Sequence, residues 1–180
     1  MGITAVRMTE AEFAALPDDD GVKRELVDGE LCEMASGGPV HETVKGNVLL
    51  EVAGWIKSSN IGARLQSETR YYLTDNDIFQ PDVSVVLRDT LDPTKEGKIT
   101  ICPDLAVEVV SSESADRLNH KINCLLAGGT RAVVVCYPSN RQIYVHRAEG
   151  IERLPASGTL RLDDVLPGFA VPVGVIFEGI

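Results

Sequence analysis

The chain has 180 residues, of which 44% are hydrophobic and 24% are charged, and its formal net charge is −10. This length and composition predict one soluble globular domain over residues 1–180. No apolar run reaches the roughly 18 residues of a membrane span, and the segment Met1–Glu10 lacks the basic and apolar regions of a signal peptide. The acidic balance counts against a large sequence-independent nucleic-acid surface, because such affinity comes mainly from Lys and Arg that neutralise phosphates.

The four cysteines are Cys32, Cys102, Cys124 and Cys136, and their spacing contains no Cys-x-x-Cys pair. The sequence therefore does not predict a zinc or redox motif. Reduced thiols in the cytoplasm are the simplest interpretation, since stable disulfides belong mainly to oxidising compartments.

The first half of the chain predicts a short helix, a hairpin and a long helix, in that order. Thr9 and Glu12 have the spacing of a capping box, and Asp28-Gly29 is a strong hairpin turn. Apolar residues then recur every three or four positions, as in a helix. The predicted ranges are 9–16 for the short helix, 23–27 and 31–34 for the strands, and 40–57 for the long helix, with a turn at 18–21.

The second half predicts a strand-rich sheet interrupted by one helix. The predicted strands are 62–73, 78–87, 101–110, 132–136, 142–146 and a weaker one at 160–162, with a charged loop at 90–97. A Ser-rich start at 111–114 and Gly128-Gly129 bound the intervening helix. Together, these elements predict an α/β or mixed α+β fold in which helices flank a mixed sheet.

Two acidic residues stand in otherwise apolar strands. Asp82 follows Pro81 and precedes a Val-rich run, and Glu108 lies inside another. An ionised carboxylate is costly there unless something compensates its charge, either a structural Arg or Lys partner or a cation. Two carboxylates on adjacent strands suit Mg²⁺, a hard cation that binds oxygen ligands and can activate water at a phosphate.

The order of these motifs resembles the Uma-type branch of the PD-(D/E)xK nuclease superfamily. The matching segments are 24–31, His41, 81–86 and 105–111, followed by Lys121 and Gly129. The resemblance implies a restriction-endonuclease-like fold and an endonuclease that cleaves DNA with Mg²⁺ or Mn²⁺. It also implies that Asp82 and Glu108 are the metal ligands and are catalytic.

The catalytic lysine of the superfamily usually stands two residues after the glutamate, where this chain has Val110. The resemblance implies that Lys121, on the following helix, supplies the ammonium instead. Its polar helical surroundings predict a surface side chain, so Lys121→Ala should fold normally and cost less than about 0.5 kcal/mol.

Glu25 and His41 also match family positions, which implies that both line the catalytic cleft. Glu25 would hold a second metal ion or orient a water. His41 would shuttle a proton or contact a phosphate at the start of the long helix. The alternatives are an exposed hairpin acid for Glu25 and a surface or capping histidine for His41.

The chain departs from the family pattern in ways that keep other functions open. Leu125 replaces an aromatic residue, Val133-Val134 replaces a Tyr-Trp pair, and Arg117 replaces an acid. A nuclease-fold protein that binds without cleaving and a hydrolase of small phosphoesters are the alternative interpretations. A homodimer is expected of an enzyme that cuts both DNA strands, since oligomers are commonly symmetric.

Overall fold

The computed structural model describes residues 7–17, 22–35, 37–90, 98–111 and 113–180. The predicted turn at 18–21 and residues 91–97 of the predicted loop lie outside this part of the chain. The helices are α1 Glu10–Ala14, α2 Pro39–Ser59, α3 Ala115–Ala127 and α4 Val173–Ile176, with a 3₁₀ turn at Arg88–Thr90. Within the described residues, no helix combines the length and apolar character needed to cross a membrane.

Twelve strands are found in the described residues. They are β1 Val22–Val27, β2 Glu30–Ala35, β3 Ala63–Ser67, β4 Tyr71–Thr74, β5 Asp77–Phe79, β6 Val83–Leu87, β7 Leu105–Val109, β8 Ala132–Tyr137, β9 Gln142–Arg147, β10 Gly150–Leu154, β11 Thr159–Arg161 and β12 Ala170–Pro172.

The larger sheet has six strands in the order β10-β9-β8-β7-β6-β3. Only its central pair, β7 and β8, is parallel, and α3 makes the crossover between them. All five residues of β7 are buried, because helices and loops cover both faces of the sheet there. The mixed sheet flanked by helices that the sequence predicted is confirmed.

The two faces of this sheet have separate cores. On one face, α2 contributes Val44, Val48 and Val52 to a core that extends to the C-terminal segment. On the other face, Leu118, Ile122 and Leu125 of α3 pack on the strands. A second sheet, in the order β2-β1-β5-β4, shares this second core. The α3 side of β7 is therefore enclosed by a helix and by another sheet.

The predicted strands 62–73 and 78–87 are each divided in two. The two predicted strands form one long hairpin. Its open end, the pair β3 and β6, joins the six-stranded sheet, whereas the part next to the turn, the pair β4 and β5, joins the four-stranded sheet. The change occurs where Glu68 has a φ of 50° and its N–H faces the Pro81 carbonyl. The positive φ of Glu68 turns the chain, and Pro81 has no N–H to donate to a neighbouring strand. Both residues therefore interrupt the hydrogen-bond ladder between the two strands. Asp82 lies directly after this junction.

The C-terminal region contains more structure than the weak strand predicted at 160–162. That strand is β11, which pairs with β12, and α4 follows directly. The sequence also missed β10, an edge strand whose first four residues are exposed. Such a strand buries little apolar surface and so lacks the alternating pattern that identifies half-buried strands.

Candidate active site

Asp82 is held in a buried position between the two sheets. Its side chain is 3% exposed, and Oδ1 accepts a hydrogen bond from Lys23 Nζ at 2.9 Å. Oδ2 accepts the Val109 N–H at 2.8 Å and lies 3.1 Å from His41 Nε2. Burial alone would raise the pKa of Asp82, but the His41 contact and the Lys23 charge outweigh it and lower the pKa below its usual range. Asp82 is therefore an anion.

Glu108 lies beside Asp82 on the neighbouring strand β7. The antiparallel register pairs Val83 with Val107, which places Asp82 and Glu108 at the next position along the two strands. Glu108 Oε2 lies 3.2 Å from Lys121 Nζ and 3.9 Å from Lys23 Nζ. Both carboxylates therefore approach the same ammonium, that of Lys23. Glu108 Oε1 is buried and has no hydrogen-bond partner among the described residues.

Lys121 reaches this cluster from α3, and Glu25 reaches it from β1. Their ion pair spans 2.8 Å between Nζ and Oε2, and neither side chain is exposed. Glu25 Oε1 also accepts the Gln80 N–H at 2.6 Å, next to Pro81 and Asp82. The expectation that Lys121 is a surface residue is therefore wrong. Its polar neighbours in sequence face solvent, whereas Lys121 itself faces the sheet beside the buried Ile122 and Leu118.

His41 lies in the first turn of α2 and points toward the acids. Its side chain is 10% exposed, and the two ring nitrogens contact Asp82 and Glu42 at 3.1 and 3.2 Å. The hydrogen bond to Asp82 raises the pKa of His41 above its ordinary value, against the opposing effect of burial. The structure thus brings together all five residues that the sequence singled out.

Lys23 and Glu113 are members of the cluster that the sequence reasoning missed. Lys23 shares a strand face with Glu25, because side chains two apart on β1 point the same way, and that spacing could have identified it. Although burial lowers the pKa of Lys23, the charge of Glu108 raises it overall. Glu113 Oε1 lies 3.7 Å from Lys121 Nζ, in the segment leading into α3. For Glu113, no spacing in the sequence comparable to that of Lys23 and Glu25 points to the cluster.

The cluster has an excess of carboxylates. Among the described residues, Glu25, Asp82, Glu108 and Glu113 surround two ammonium groups, those of Lys23 and Lys121. Burial accordingly raises the pKa of Glu108 to about 8, although Lys121 and Lys23 oppose the shift, and it raises that of Glu113. A divalent cation would offset the burial that raises the pKa of these carboxylates, and it would give the unpaired Glu108 oxygen a partner. Asp82 and Glu108 therefore fit a Mg²⁺ or Mn²⁺ ion.

A cavity of about 590 Å³ opens beside His41 and the end of β7. Val110, Ser111 and Arg141, from the β8–β9 turn, are among the residues that line it. His41 lines this cavity and contacts Asp82, so the cavity lies next to the acid cluster, although the four carboxylates are not part of its lining.

Comparisons with known proteins agree with this architecture. A family model named Uma2 and described as "Putative restriction endonuclease" matches residues 10–174. A crystal structure of "a putative nuclease belonging to DUF820" from Anabaena variabilis aligns with a TM-score of 0.83 at 20% identity, covering 95% of this chain and 98% of that one. A DrdV–DNA complex aligns with a TM-score of 0.45 at 15% identity, covering 81% of this chain and 12% of that one, a likeness too weak to support an inference. The comparison with curated proteins found no match.

Proposed function

The chain belongs to the Uma2 family, and on that premise we propose that it is a metal-dependent endonuclease that hydrolyses phosphodiester bonds in DNA. One observation carries the proposal. Two carboxylates on neighbouring strands, Asp82 and Glu108, approach a single cationic group in a buried cluster that has more acids than bases. In the structure that cationic group is the Lys23 ammonium.

Asp82 and Glu108 would hold Mg²⁺ or Mn²⁺ through carboxylate oxygens, the ligands that hard cations prefer. The ion would supply an activated water and neutralise charge on a phosphate oxygen. The Val109 N–H and His41 fix the orientation of Asp82, and Lys121 fixes that of Glu108. Both carboxylates are thereby preorganised, because their supporting hydrogen bonds exist before any ligand arrives.

Lys121 and Glu25 support the site from the α3 side. The Lys121 ammonium would stabilise negative charge that develops near Glu108 and position the attacking water. Glu25 holds Lys121 through a 2.8 Å ion pair and holds the chain before Asp82 through the Gln80 N–H. We therefore assign Glu25 a positioning role and do not make it a ligand of a second ion.

His41 and the adjacent cavity would form the substrate side. The pKa of His41 is raised by Asp82, so the imidazole carries a proton through more of the neutral range than a free histidine. It can donate that proton, or a hydrogen bond, to a phosphate that enters beside Arg141. The net charge of −10 disfavours extended contacts with the DNA phosphate backbone. The bound ion, His41 and Arg141 would therefore provide the attraction for DNA. A homodimer would supply the two sites needed for double-strand cleavage.

The test is cleavage of supercoiled plasmid DNA with Mg²⁺ or Mn²⁺. We expect nicked and linear products from the parent protein, their loss on addition of EDTA, and at least a 100-fold lower rate for Asp82→Asn and Glu108→Gln, roughly the effect of removing one charge-stabilising group. Glu149→Gln, at an exposed site, is the matched control and should cleave like the parent.

Two further measurements, hydrolysis of a small phosphodiester and Mg²⁺ binding, address the two alternative functions. Hydrolysis of bis-p-nitrophenyl phosphate without plasmid cleavage would point to small phosphoesters as the substrate and would contradict the DNA assignment. Mg²⁺ binding without hydrolysis of either substrate would favour a nuclease-fold binding protein. The complete burial of Lys121 favours this second alternative, since a catalytic ammonium has to reach the reacting phosphate.

A further inference from the structure

A second group of side chains with metal-ligating atoms lies outside the acid cluster, where α3 meets the tip of the β4–β5 hairpin. Asp77, His120 and Cys124 each offer one ligand atom, and the three atoms lie within 4.8 Å of one another. His120 Nε2 is 2.8 Å from Asp77 Oδ1 and 3.3 Å from Cys124 Sγ. The proposed hydrolysis of DNA uses none of these residues.

Local structure explains why the three donors converge. His120 and Cys124 are four residues apart on α3, so their side chains lie on the same face of the helix. Asp77 is the first residue of β5, and its carboxylate is oriented by the Asp28 N–H and by the Thr74 hydroxyl, both at 3.0 Å. Supporting hydrogen bonds of this kind preset a ligand's position before the metal binds.

The spacing of the donors is close to that of a tetrahedral zinc site. Zinc–ligand bonds of 2.0–2.3 Å place neighbouring ligand atoms about 3.3 Å apart for nitrogen and oxygen, and about 3.5 Å apart for nitrogen and sulfur. The observed separations of 2.8 and 3.3 Å therefore need to widen by only a few tenths of an ångström. The third pair, the Asp77 oxygen and the Cys124 sulfur, lies within 4.8 Å and would have to settle at about 3.5 Å.

The site is accessible from solvent. The His120 side chain is 38% exposed, and Cys124 and Thr74 line a cavity of about 730 Å³ together with Cys102. This space can admit an ion and a fourth ligand such as water. By contrast, Lys121, the next residue after His120, turns toward the buried acid cluster, so the two groups of ligands lie on different sides of α3.

We propose that Asp77, His120 and Cys124 bind one Zn²⁺ or a similar borderline transition-metal ion, with water or another small ligand in the fourth position. The donor set of one thiolate, one imidazole and one carboxylate selects such ions over Mg²⁺, which prefers oxygen ligands alone. The bound ion would join α3 to the β4–β5 hairpin, which carries the chain into Asp82. Its role is therefore to stabilise the contact between α3 and the four-stranded sheet, and it takes no part in hydrolysis.

The test uses Co²⁺ as a spectroscopic probe and Zn²⁺ as its competitor, with the full chain first treated with a chelator. We expect visible d–d bands and a near-ultraviolet thiolate-to-cobalt band at one equivalent, both abolished by Zn²⁺. Cys124→Ala should lose the thiolate band, whereas Cys102→Ala should retain it. Cys102 is the matched control because it lines the same cavity without belonging to the ligand set.

A substitution of the residue that orients Asp77 separates metal binding from simple packing. Thr74→Val removes the hydroxyl that orients Asp77, and we expect Zn²⁺ affinity to fall roughly 10–100-fold. A further measurement uses the parent protein and so does not depend on the folding of any variant. Stoichiometric Zn²⁺ should slow the alkylation of Cys124, as followed by mass spectrometry. Mg²⁺ at the same concentration should leave that rate unchanged.

Three results would overturn the proposal. The first is a parent protein that gives no thiolate-to-cobalt band. The second is retention of the band in Cys124→Ala. The third is an alkylation rate for Cys124 that Zn²⁺ does not change. Any of these would mean that Asp77 and His120 form only a hydrogen bond between α3 and the hairpin.

Discussion

At the scale of single residues, Lys23 is the most informative feature of the acid cluster. Its ammonium lies 2.9 Å from Asp82 and 3.9 Å from Glu108, which is where a shared cation would bind. The proposed Mg²⁺ would therefore have to displace Lys23, and the lysine would act as an internal competitor. When displaced, its flexible stem would leave the ammonium near the incoming phosphate.

We predict that Lys23→Met binds Mg²⁺ at least tenfold more tightly than the parent protein. A hydrogen bond to a charged group contributes about 1.5–3 kcal/mol, and the metal no longer has to break one. The measurement is calorimetric titration of Mg²⁺, with Lys57→Met at an exposed position of α2 as the control. Weaker binding by Lys23→Met would show that the lysine supports the site and does not compete for it.

Lys121 gives a second prediction at this scale, because its burial reverses the expectation drawn from sequence. Lys121→Ala removes the ammonium that pairs with Glu25 inside the protein and leaves Glu108 with the more distant Lys23 ammonium at 3.9 Å. We predict a loss of about 3–5 kcal/mol in the free energy of unfolding, as when one partner of a buried ion pair is removed. Urea denaturation measures it, and Lys57→Ala should change stability by less than about 0.5 kcal/mol.

If Lys121→Ala is as stable as the parent, the Lys121 ion pairs contribute little to folding. If it is destabilised as expected, a lower cleavage rate in this variant cannot be attributed to chemistry alone. Mg²⁺ affinity must then be measured under conditions in which the variant is fully folded.

At the scale of elements, the central strands are joined by Asp104, which stands directly before β7. Its carboxylate accepts the Leu87 N–H at the end of β6 at 2.8 Å and pairs with Arg131 before β8 at 3.2 Å. The Asp104 backbone carbonyl also accepts the Arg131 N–H. One buried residue therefore connects β6, β7 and β8. Asp82 lies directly before the first of these strands, and Glu108 lies in the second.

We predict that Asp104→Ala lowers the free energy of unfolding by about 1–3 kcal/mol, because the Leu87 N–H loses its acceptor in a partly buried region. Asp104→Asn, which keeps an oxygen acceptor, should lose less. Urea midpoints of the two variants and of Glu149→Ala, an exposed control, provide the comparison. Equal stability of Asp104→Ala and the parent would show that this connection does not help to hold the strands together.

At the scale of the whole molecule, the described elements share cores that link distant parts of the chain. The α2-side core joins residues of α2 to Phe169 and the C-terminal helix, and Trp55 meets the Phe169 ring edge-on at 6.3 Å. The family match over residues 10–174 covers the α3-side core completely and the α2-side core as far as Val173. These observations support the proposal that residues 1–180 fold as one unit.

We predict a single cooperative unfolding transition for the chain. Far-ultraviolet circular dichroism reports helices and sheets, whereas fluorescence reports Trp55, the one tryptophan, at the α2-side core. The two transitions should coincide, as they do for small two-state domains. A separate earlier transition at either probe would show that part of the chain folds independently.

The sequence by itself determined the elements whose signals are local. The capping box at Thr9 is present, the Asp28-Gly29 hairpin forms, and α2 and α3 match their predicted ranges to within about two residues. The buried strand around Glu108 was also apparent, because a strand covered on both faces reads as a continuous apolar run. Capping, turn chemistry and periodicity depend on residues that are neighbours in the chain, so a single amino-acid sequence is sufficient to detect them.

Only the tertiary structure decided which polar side chains share a space. The division of one long hairpin between two sheets placed Lys23 and Glu25 of β1 beside Asp82, and it placed Asp77 beside α3. The same packing buried Lys121, whose neighbours in sequence gave the opposite expectation. Distances between residues tens of positions apart depend on how sheets and helices stack, because that packing is set by the whole core and leaves no periodic signal near any one residue.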